Sequence, residues 1–312
     1  MKVGLICDRN FHYHTLFDSF RYAITSLYPG IKDVYLQDDL KGLDLLILPH
    51  PNHGPNLEIC AAPGFIEKCN ELGITVVIFF SEKIGRGKYA NEIRYIKGEH
   101  DTFIKRFEDI NPVLFKEVYS DEDQKYRLFN YLRGIKKCFI YAYDVDDCKE
   151  FGLKLFRVAL SRKYERFGEY VPFSTRYKAI AFCGNHYMER RSIIKAIGKT
   201  FPCHIHRSVF PNWESYMMFL GKRQLILSPL GNANAFVSRF YEALSLKSIV
   251  VQQVKANTLQ YYNKETQFKN CIFFERPEEL TTLLPSYEIP KERGELWLED
   301  VLKDLLKSDN LL

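Results

Sequence analysis

An arginine and a glutamate three residues apart, Arg239 and Glu242, carry the most specific chemical signal in this sequence. Residues with this spacing are neighbours on a helix, so a cation and a carboxylate would stand side by side. A guanidinium suits phosphate, and a carboxylate accepts hydrogen bonds from ribose hydroxyls. An isolated pair of this kind is more often an ordinary surface ion pair. The surrounding segment therefore has to decide between the two interpretations.

That segment has the order strand, glycine-bearing loop, helix and strand. Leu225 to Leu227 is a short apolar run, and Pro229 to Gly231 punctuate the loop after it. Phe236 to Leu244 has apolar residues at helical spacing, which leaves Arg239 and Glu242 on the edge away from the apolar stripe. Ile249 to Val251 is a β-branched run typical of buried parallel strands. This order favours a site for a phosphorylated ligand.

Three stretches of the segment resemble the donor-binding segment of exostosin-like and related GT-B glycosyltransferases. They are Ser228-Pro229-Leu230-Gly231-Asn232, Ser238-Arg239-Phe240-Tyr241-Glu242-Ala243-Leu244 and Ile249-Val250-Val251. The family pattern is an S-P-x-G loop, an R-x-x-E-A-L helix and a G-C-I-P-V-type strand. This chain has Lys247-Ser248 where Gly-Cys is frequent, and Val250 where Pro is frequent. The resemblance implies nucleotide-sugar binding and two Rossmann-like domains that face a central cleft.

The rest of the chain agrees with that layout. A length of 312 residues suggests about two domains. Strand-like runs alternate with helical patterns in both halves, which predicts parallel sheets with crossover helices in an α/β fold. A helix from about Asp146 to Tyr164 and a polar linker at 166–172 are expected between the halves. We therefore predict an acceptor-side Rossmann-like domain at 1–168 and a nucleotide-sugar-binding Rossmann-like domain at 169–312.

Composition argues against several other classes of protein. The longest apolar runs, such as Ile74 to Phe80, are far shorter than the ~20 residues that span a bilayer. The first residues have no signal-peptide pattern, and the eight cysteines include no C-x-x-C pair, so we expect a reducing cytoplasm. The net charge of +5 is spread along the chain, and no nucleic-acid-binding module is recognisable.

Ligands of open α/β sheets collect at the carboxyl ends of the strands, which nominates the loops after Cys7, Cys183 and Leu227. Arg190 and Arg191 would lie in a first helical turn, where the helix dipole opposes cations unless an anion is near. The alternative is solvent exposure with Glu189 as a local partner. The predicted donor-binding residues are Gly184, Asn185, Arg190, Arg191, Ser228, Pro229, Gly231, Asn232, Asn234, Ser238, Arg239 and Glu242.

The loop after the first strand holds the candidate catalytic bases Asp8, His12 and His14. An inverting transferase needs a group that removes the proton of the acceptor hydroxyl, and histidine or aspartate has suitable proton chemistry. The segment Pro49 to Gly54 also follows a strand and is a candidate for the lining of the acceptor site.

No metal site is predicted. The pairs His12/His14 and His204/His206 have no third ligand nearby. Asp144 and Asp146 look superficially like a metal-binding D-x-D, but they lie between a strand and a helix, where capping is the better explanation.

The sequence thus predicts a metal-independent, inverting glycosyltransferase without a cofactor. It would move a sugar from a nucleotide-diphosphate sugar of the UDP or GDP type to a hydroxyl of a glycan acceptor. The alternatives are a nucleotide-sugar epimerase of similar shape and a non-catalytic nucleotide-binding protein.

Overall fold

The computed structural model has a mixed α/β fold with two parallel sheets, which confirms the predicted α/β class. The residues that it describes are 1–7, 15–84, 109–116, 121–184, 188–206, 210–231 and 233–312. The chain divides into two compact units. The first comprises Met1–His12 and Ile24–Phe156, and the second comprises Tyr13–Ala23 and Arg157–Leu312.

The first unit contains a six-stranded parallel sheet. Its strands are β1 (Val3–Leu5), β2 (Lys32–Asp33), β3 (Leu45–Pro49), β4 (Thr75–Phe80), β5 (Cys138–Ala142) and β6 (Lys154–Leu155). They lie in the order β2-β1-β3-β4-β5-β6. Every residue of β3 is buried, as is every residue of β4 except Thr75. Such continuous apolar runs are typical of parallel strands that are covered on both faces.

The helices that precede or connect these strands are α1 (Thr15–Leu27), α2 (Gly54–Cys60), α3 (Phe65–Glu71), α4 (Asp121–Leu132) and α5 (Val145–Phe151). Asp144 caps α5, because its Oδ1 accepts hydrogen bonds from the backbone nitrogens of Asp146 at 2.8 Å and Asp147 at 3.0 Å. These bonds satisfy two of the donors that a helix start leaves open. The capping interpretation of this acidic run is confirmed.

The single helix predicted over residues 146–164 is wrong. Helix α5 ends at Phe151, because Gly152 adopts a left-handed φ of 66° and β6 follows it. A 3-10 helix then spans Arg162–Gly168 and overlaps the start of the predicted linker at 166–172.

The main segment of the second unit begins at Arg157, ahead of the sequence-based boundary at 168. Hydrogen bonds explain why residues 157–168 belong to it. Leu160 forms a parallel bridge with Trp297, and the Ser161 hydroxyl donates to Glu299 at 2.8 Å. Glu299 lies in the helix α10 (Leu298–Ser308), near the end of the chain. The sequence carries no local signal for these long-range bonds.

The second unit contains a five-stranded parallel sheet. Its strands are β7 (Tyr177–Cys183), β8 (Cys203–His206), β9 (Arg223–Ser228), β10 (Ile249–Gln253) and β11 (Cys271–Phe274), in the order β11-β10-β9-β7-β8. Its other helices are α6 (Met188–Gly198), α7 (Trp213–Gly221), α8 (Ser238–Ser245) and α9 (Leu280–Leu283). One face of the sheet packs on α6, where Leu227 and Val251 share a core with Ile193. Helices α7 and α8 contact strand β9 as well.

The strand order creates a switch point between β7 and β9. From β7 the chain crosses to β8 on one side, whereas from β9 it crosses to β10 and β11 on the other. The loops that leave β7 and β9 therefore diverge at the carboxyl edge of the sheet. In open α/β sheets this divergence opens the crevice where ligands bind.

Candidate functional site

The guanidinium of Arg239, on α8, lies against Gly184 in the loop after β7. A Cβ atom built on Gly184 would lie 3.3 Å from Arg239 Nη2. Gly184 also has a φ of 137°, which side-chain-bearing residues rarely adopt. The guanidinium lies over the ring of Phe182 at 5.0 Å from its centroid, a cation–π contact. Glycine at position 184 therefore permits both the turn and the close approach of the cation.

The loop after β9 brings a second arginine close. A Cβ atom on Gly231 would lie 3.7 Å from Arg190 Nη2. Arg190 is the third residue of α6, and its side chain is partly exposed. Two guanidinium groups thus lie beside the glycines of the two loops that flank the switch point.

Tyr216 joins Arg239 to Glu242. The Tyr216 hydroxyl, on α7, donates to Glu242 Oε2 at 2.5 Å. It accepts from Arg239 Nε at 3.4 Å. Tyr216 carries no sequence signal for this role, because an aromatic residue on a helix is normally a core residue. Only the packing of α7 beside α8 brings its hydroxyl to the charged pair.

Glu242 is more buried than its place on the helix suggests. Hydrophobic spacing puts Arg239 and Glu242 on the edge away from the apolar stripe, yet Glu242 is only 6% exposed. Residues 240–245 of α8 are all buried, whereas Arg239 is partly exposed. Hydrophobic spacing identified the core face of α8, but it did not reveal that α7 covers the polar edge as well.

Burial and charge oppose each other at this pair. Burial raises the pKa of the Glu242 carboxyl above its usual value, although Arg239 and hydrogen bonds from Tyr216 and Ser238 counteract the shift. Burial would lower the pKa of Arg239, but Tyr216 and Glu242 outweigh it and raise that pKa. A second anion beside Arg239, such as a phosphate, would therefore meet a cation that remains charged.

The carboxyl end of α8 is fixed by a buried arginine. Arg176 Nη1 donates to the Leu246 carbonyl and to Ser248 Oγ, both at 2.8 Å. Lys247, which follows the helix, has a φ of 53°. This left-handed conformation is the one that glycine favours after a helix.

The other predicted donor-site residues have different environments. Ser228 and Pro229 are buried at the end of β9, and Arg191 is exposed on α6. Asn234 is buried and its Oδ1 accepts from the Thr258 hydroxyl at 2.5 Å. Ser238 is the first residue of α8. Five predicted site residues lie outside the described residues: Asp8, His12, His14, Asn185 and Asn232.

A separate charged cluster lies in the first unit, after β3 and β4. Glu82 accepts from His53 Nε2 at 2.9 Å, from Asn52 at 3.0 Å and from Lys125 at 2.5 Å. Burial alone would raise the pKa of the Glu82 carboxyl, but the hydrogen bonds and charges of His53 and Lys125 hold it well below the usual range. His53 belongs to the segment Pro49 to Gly54 that the sequence nominated.

Within the described ranges, no group of three or more His, Cys, Asp and Glu side chains has metal-binding geometry. None of the helices described is both long and apolar enough to cross a bilayer. The sequence matches no protein-family model, and no curated protein is significantly similar to it.

Proposed function

We propose that the second unit binds a nucleotide-diphosphate sugar at the switch point between β7 and β9. The observation that carries this proposal is the position of two guanidinium groups, Arg239 beside Gly184 and Arg190 beside Gly231. Two cations next to glycines are suited to a diphosphate, because its oxygens need charged donors at close range and a glycine leaves room for them.

We further propose that the protein is a glycosyltransferase of the GT-B class that acts on a hydroxyl of a glycan acceptor. The acceptor oxygen forms a bond to the anomeric carbon of the donor sugar, and the bond from that carbon to the nucleotide diphosphate breaks. The acceptor proton passes to a base, for which Asp8, His12 and His14 remain the candidates. The transfer inverts the anomeric configuration in this scheme.

In this proposal the arginines supply the positive charge that a metal ion supplies in other transferases. Negative charge grows on the leaving diphosphate as its bond breaks, and preorganised cations stabilise it. Glu242 would accept a hydrogen bond from a ribose hydroxyl while its Oε2 stays bound to Tyr216. A carboxylate has acceptor capacity for both contacts. Transfer is expected to persist in EDTA.

Titration calorimetry with UDP and GDP tests the donor site. Arg239→Met and Arg190→Met should each weaken binding by about ten- to a hundredfold, the worth of a charge-assisted hydrogen bond of about 1.5–3 kcal/mol. Lys195→Met is the matched control, because Lys195 is an exposed cation on the same helix as Arg190. Equal nucleotide affinity in wild type, Arg239→Met and Lys195→Met would contradict this site.

Incubation with a panel of nucleotide sugars separates the three classes of function. Nucleotide release that accelerates with a glycan acceptor supports a transferase. Isomerised sugar without release supports the epimerase, and saturable binding without either product supports a non-catalytic binding protein. Alanine variants of Asp8, His12 and His14 then identify the base, whose loss should lower turnover about 10²- to 10⁴-fold while nucleotide affinity is unchanged.

A further inference from the structure

Two polar atoms at adjoining strand ends are buried without a hydrogen-bond partner among the residues that the structure describes. They are Ser228 Oγ at the end of β9 and Gln252 Oε1 near the end of β10. Both residues are 0% exposed. The Gln252 amide nitrogen donates to the Gln253 carbonyl, which fixes which end of the amide carries the oxygen. The unpartnered atom of Gln252 is thus a pure acceptor.

The two residues are paired across the sheet. Gln252 lies opposite Ser228 in the parallel register of β10 and β9. Paired positions on neighbouring strands point to the same face and lie about 4.8 Å apart in the hydrogen-bonding direction. Leu227 and Val251, one residue earlier in each strand, pack into the core beside α6. Ser228 and Gln252 therefore project together towards the opposite face.

Their place in the sheet links them to the candidate site. Ser228 directly precedes the loop that contains Gly231, and the Leu230 backbone nitrogen of this loop donates to Gln253 Oε1 at 3.0 Å. Buried polar groups in folded proteins nearly always have a partner in the protein, in water or in a ligand. Two unpartnered atoms in register, at the carboxyl edge where ligands bind, indicate that a bound group supplies the missing bonds.

We infer that Ser228 and Gln252 form a subsite for a vicinal diol of a sugar. Gln252 Oε1 only accepts, so the ligand group must donate to it, whereas a serine hydroxyl both donates and accepts. The fully ionised phosphates of a nucleotide sugar have no proton to give to Gln252 and would be repelled by its oxygen. Two neighbouring hydroxyls fit both atoms. This inference rests on the proposed nucleotide-sugar site, and it names the part of the ligand recognised there.

Either half of a nucleotide sugar supplies such a diol, the ribose or the transferred sugar. Ser228→Ala and Gln252→Leu remove the two atoms with little change of shape. Gln224→Leu is the matched control, because Gln224 Oε1 is also buried without a partner but lies near the opposite end of β9. Binding of UDP, GDP, UDP-glucose and GDP-mannose is measured by calorimetry, and stability by urea unfolding.

Ser228→Ala and Gln252→Leu should each weaken binding about tenfold or more, whereas Gln224→Leu should leave it unchanged. Ser228→Ala should not unfold at a lower urea concentration than wild type, since Ser228 Oγ has no partner among the described residues. Gln252→Leu also removes the amide nitrogen that donates to the Gln253 carbonyl, so only its nucleotide affinity serves as a criterion. Weaker binding of the free nucleotides UDP and GDP assigns the diol to the ribose. Weaker binding of the nucleotide sugars, with unchanged binding of UDP and GDP, assigns it to the transferred sugar.

Two results would overturn the diol subsite while the proposed function stands. One is equal nucleotide affinity in wild type and in both site variants. The other is a clearly lowered stability of Ser228→Ala, which would assign the unpartnered hydroxyl to a structural water. A wild type that binds none of the four compounds would instead refute the nucleotide-sugar site itself, and the subsite with it.

Discussion

Replacement of Tyr216 by phenylalanine tests the charged cluster most directly. The substitution removes only the hydroxyl that donates to Glu242 Oε2 at 2.5 Å and accepts from Arg239 at 3.4 Å. A hydrogen bond to a charged acceptor contributes about 1.5–3 kcal/mol, and the long contact with Arg239 adds little. Because Glu242 is 6% exposed, water cannot readily replace the lost donor. We expect Tyr216→Phe to lower the free energy of unfolding of the second unit by about 2–3 kcal/mol.

Tryptophan fluorescence during urea unfolding reports this unit selectively. The chain has two tryptophans, and both Trp213 and Trp297 belong to the second unit. Tyr177→Phe is the matched control, because Tyr177 lies on β7 of the same unit and is 62% exposed. That variant should differ from wild type by no more than about 0.5 kcal/mol.

The pH dependence of the loss identifies its cause. The Tyr216 hydrogen bond favours the ionised form of Glu242 and so lowers the pKa of that carboxyl. The difference in stability between wild type and Tyr216→Phe should be largest near pH ~8 and shrink as the pH falls through the Glu242 pKa, because a protonated carboxyl no longer needs the donor. For the same reason Tyr216→Phe should cost less in a Glu242→Gln background.

The reasoning fails if Tyr216→Phe and Tyr177→Phe unfold alike. It also fails if the loss in Tyr216→Phe is independent of pH and of Glu242→Gln, because the hydroxyl would then act on something other than the carboxylate.

Three further substitutions test other parts of the structure. Gly184→Ala should lower both nucleotide affinity, measured by calorimetry, and stability, measured by urea unfolding, because φ is 137° and the new Cβ would lie 3.3 Å from a guanidinium nitrogen. Gly198→Ala is the control and should change neither quantity, because no atom lies within 4 Å of the added Cβ. Lys247→Gly should stabilise the second unit by about 0.5–1 kcal/mol in the fluorescence assay, because its left-handed φ of 53° suits glycine, and a lower stability would mean that the side chain matters more than the backbone. Glu82→Gln should flatten the acid-induced loss of stability, measured as urea midpoints by circular dichroism from pH ~7 to ~3. The lowered pKa of Glu82 gives stability that is present above its unfolded pKa of about 4.3. This stability is lost in wild type as the pH falls further. Glu71→Gln, at an exposed position of α3, should keep the wild-type slope, and an equal slope in both variants would argue against the Glu82 cluster.

The sequence alone determined the α/β class and most of the strands. The predicted runs Leu225 to Leu227 and Ile249 to Val251 lie within β9 and β10. Asp144 caps α5 as its position between a strand and a helix suggested. These features depend on neighbouring residues, through apolar runs, turn residues and caps, and local spacing is therefore sufficient to predict them. The same local pattern placed the glycine loop and the Arg239 helix in the correct order.

Tertiary structure decided which residues surround that pattern. Tyr216 reaches Glu242 from another helix, and Arg190 reaches Gly231 from the far side of the switch point. The burial of Glu242 depends on α7, and the pairing of Ser228 with Gln252 depends on the register of two strands. Each contact joins residues that lie far apart in sequence. Hydrophobic periodicity shows which face of an element is buried but not which side chain of another element lies against it, because that contact forms only when the elements pack.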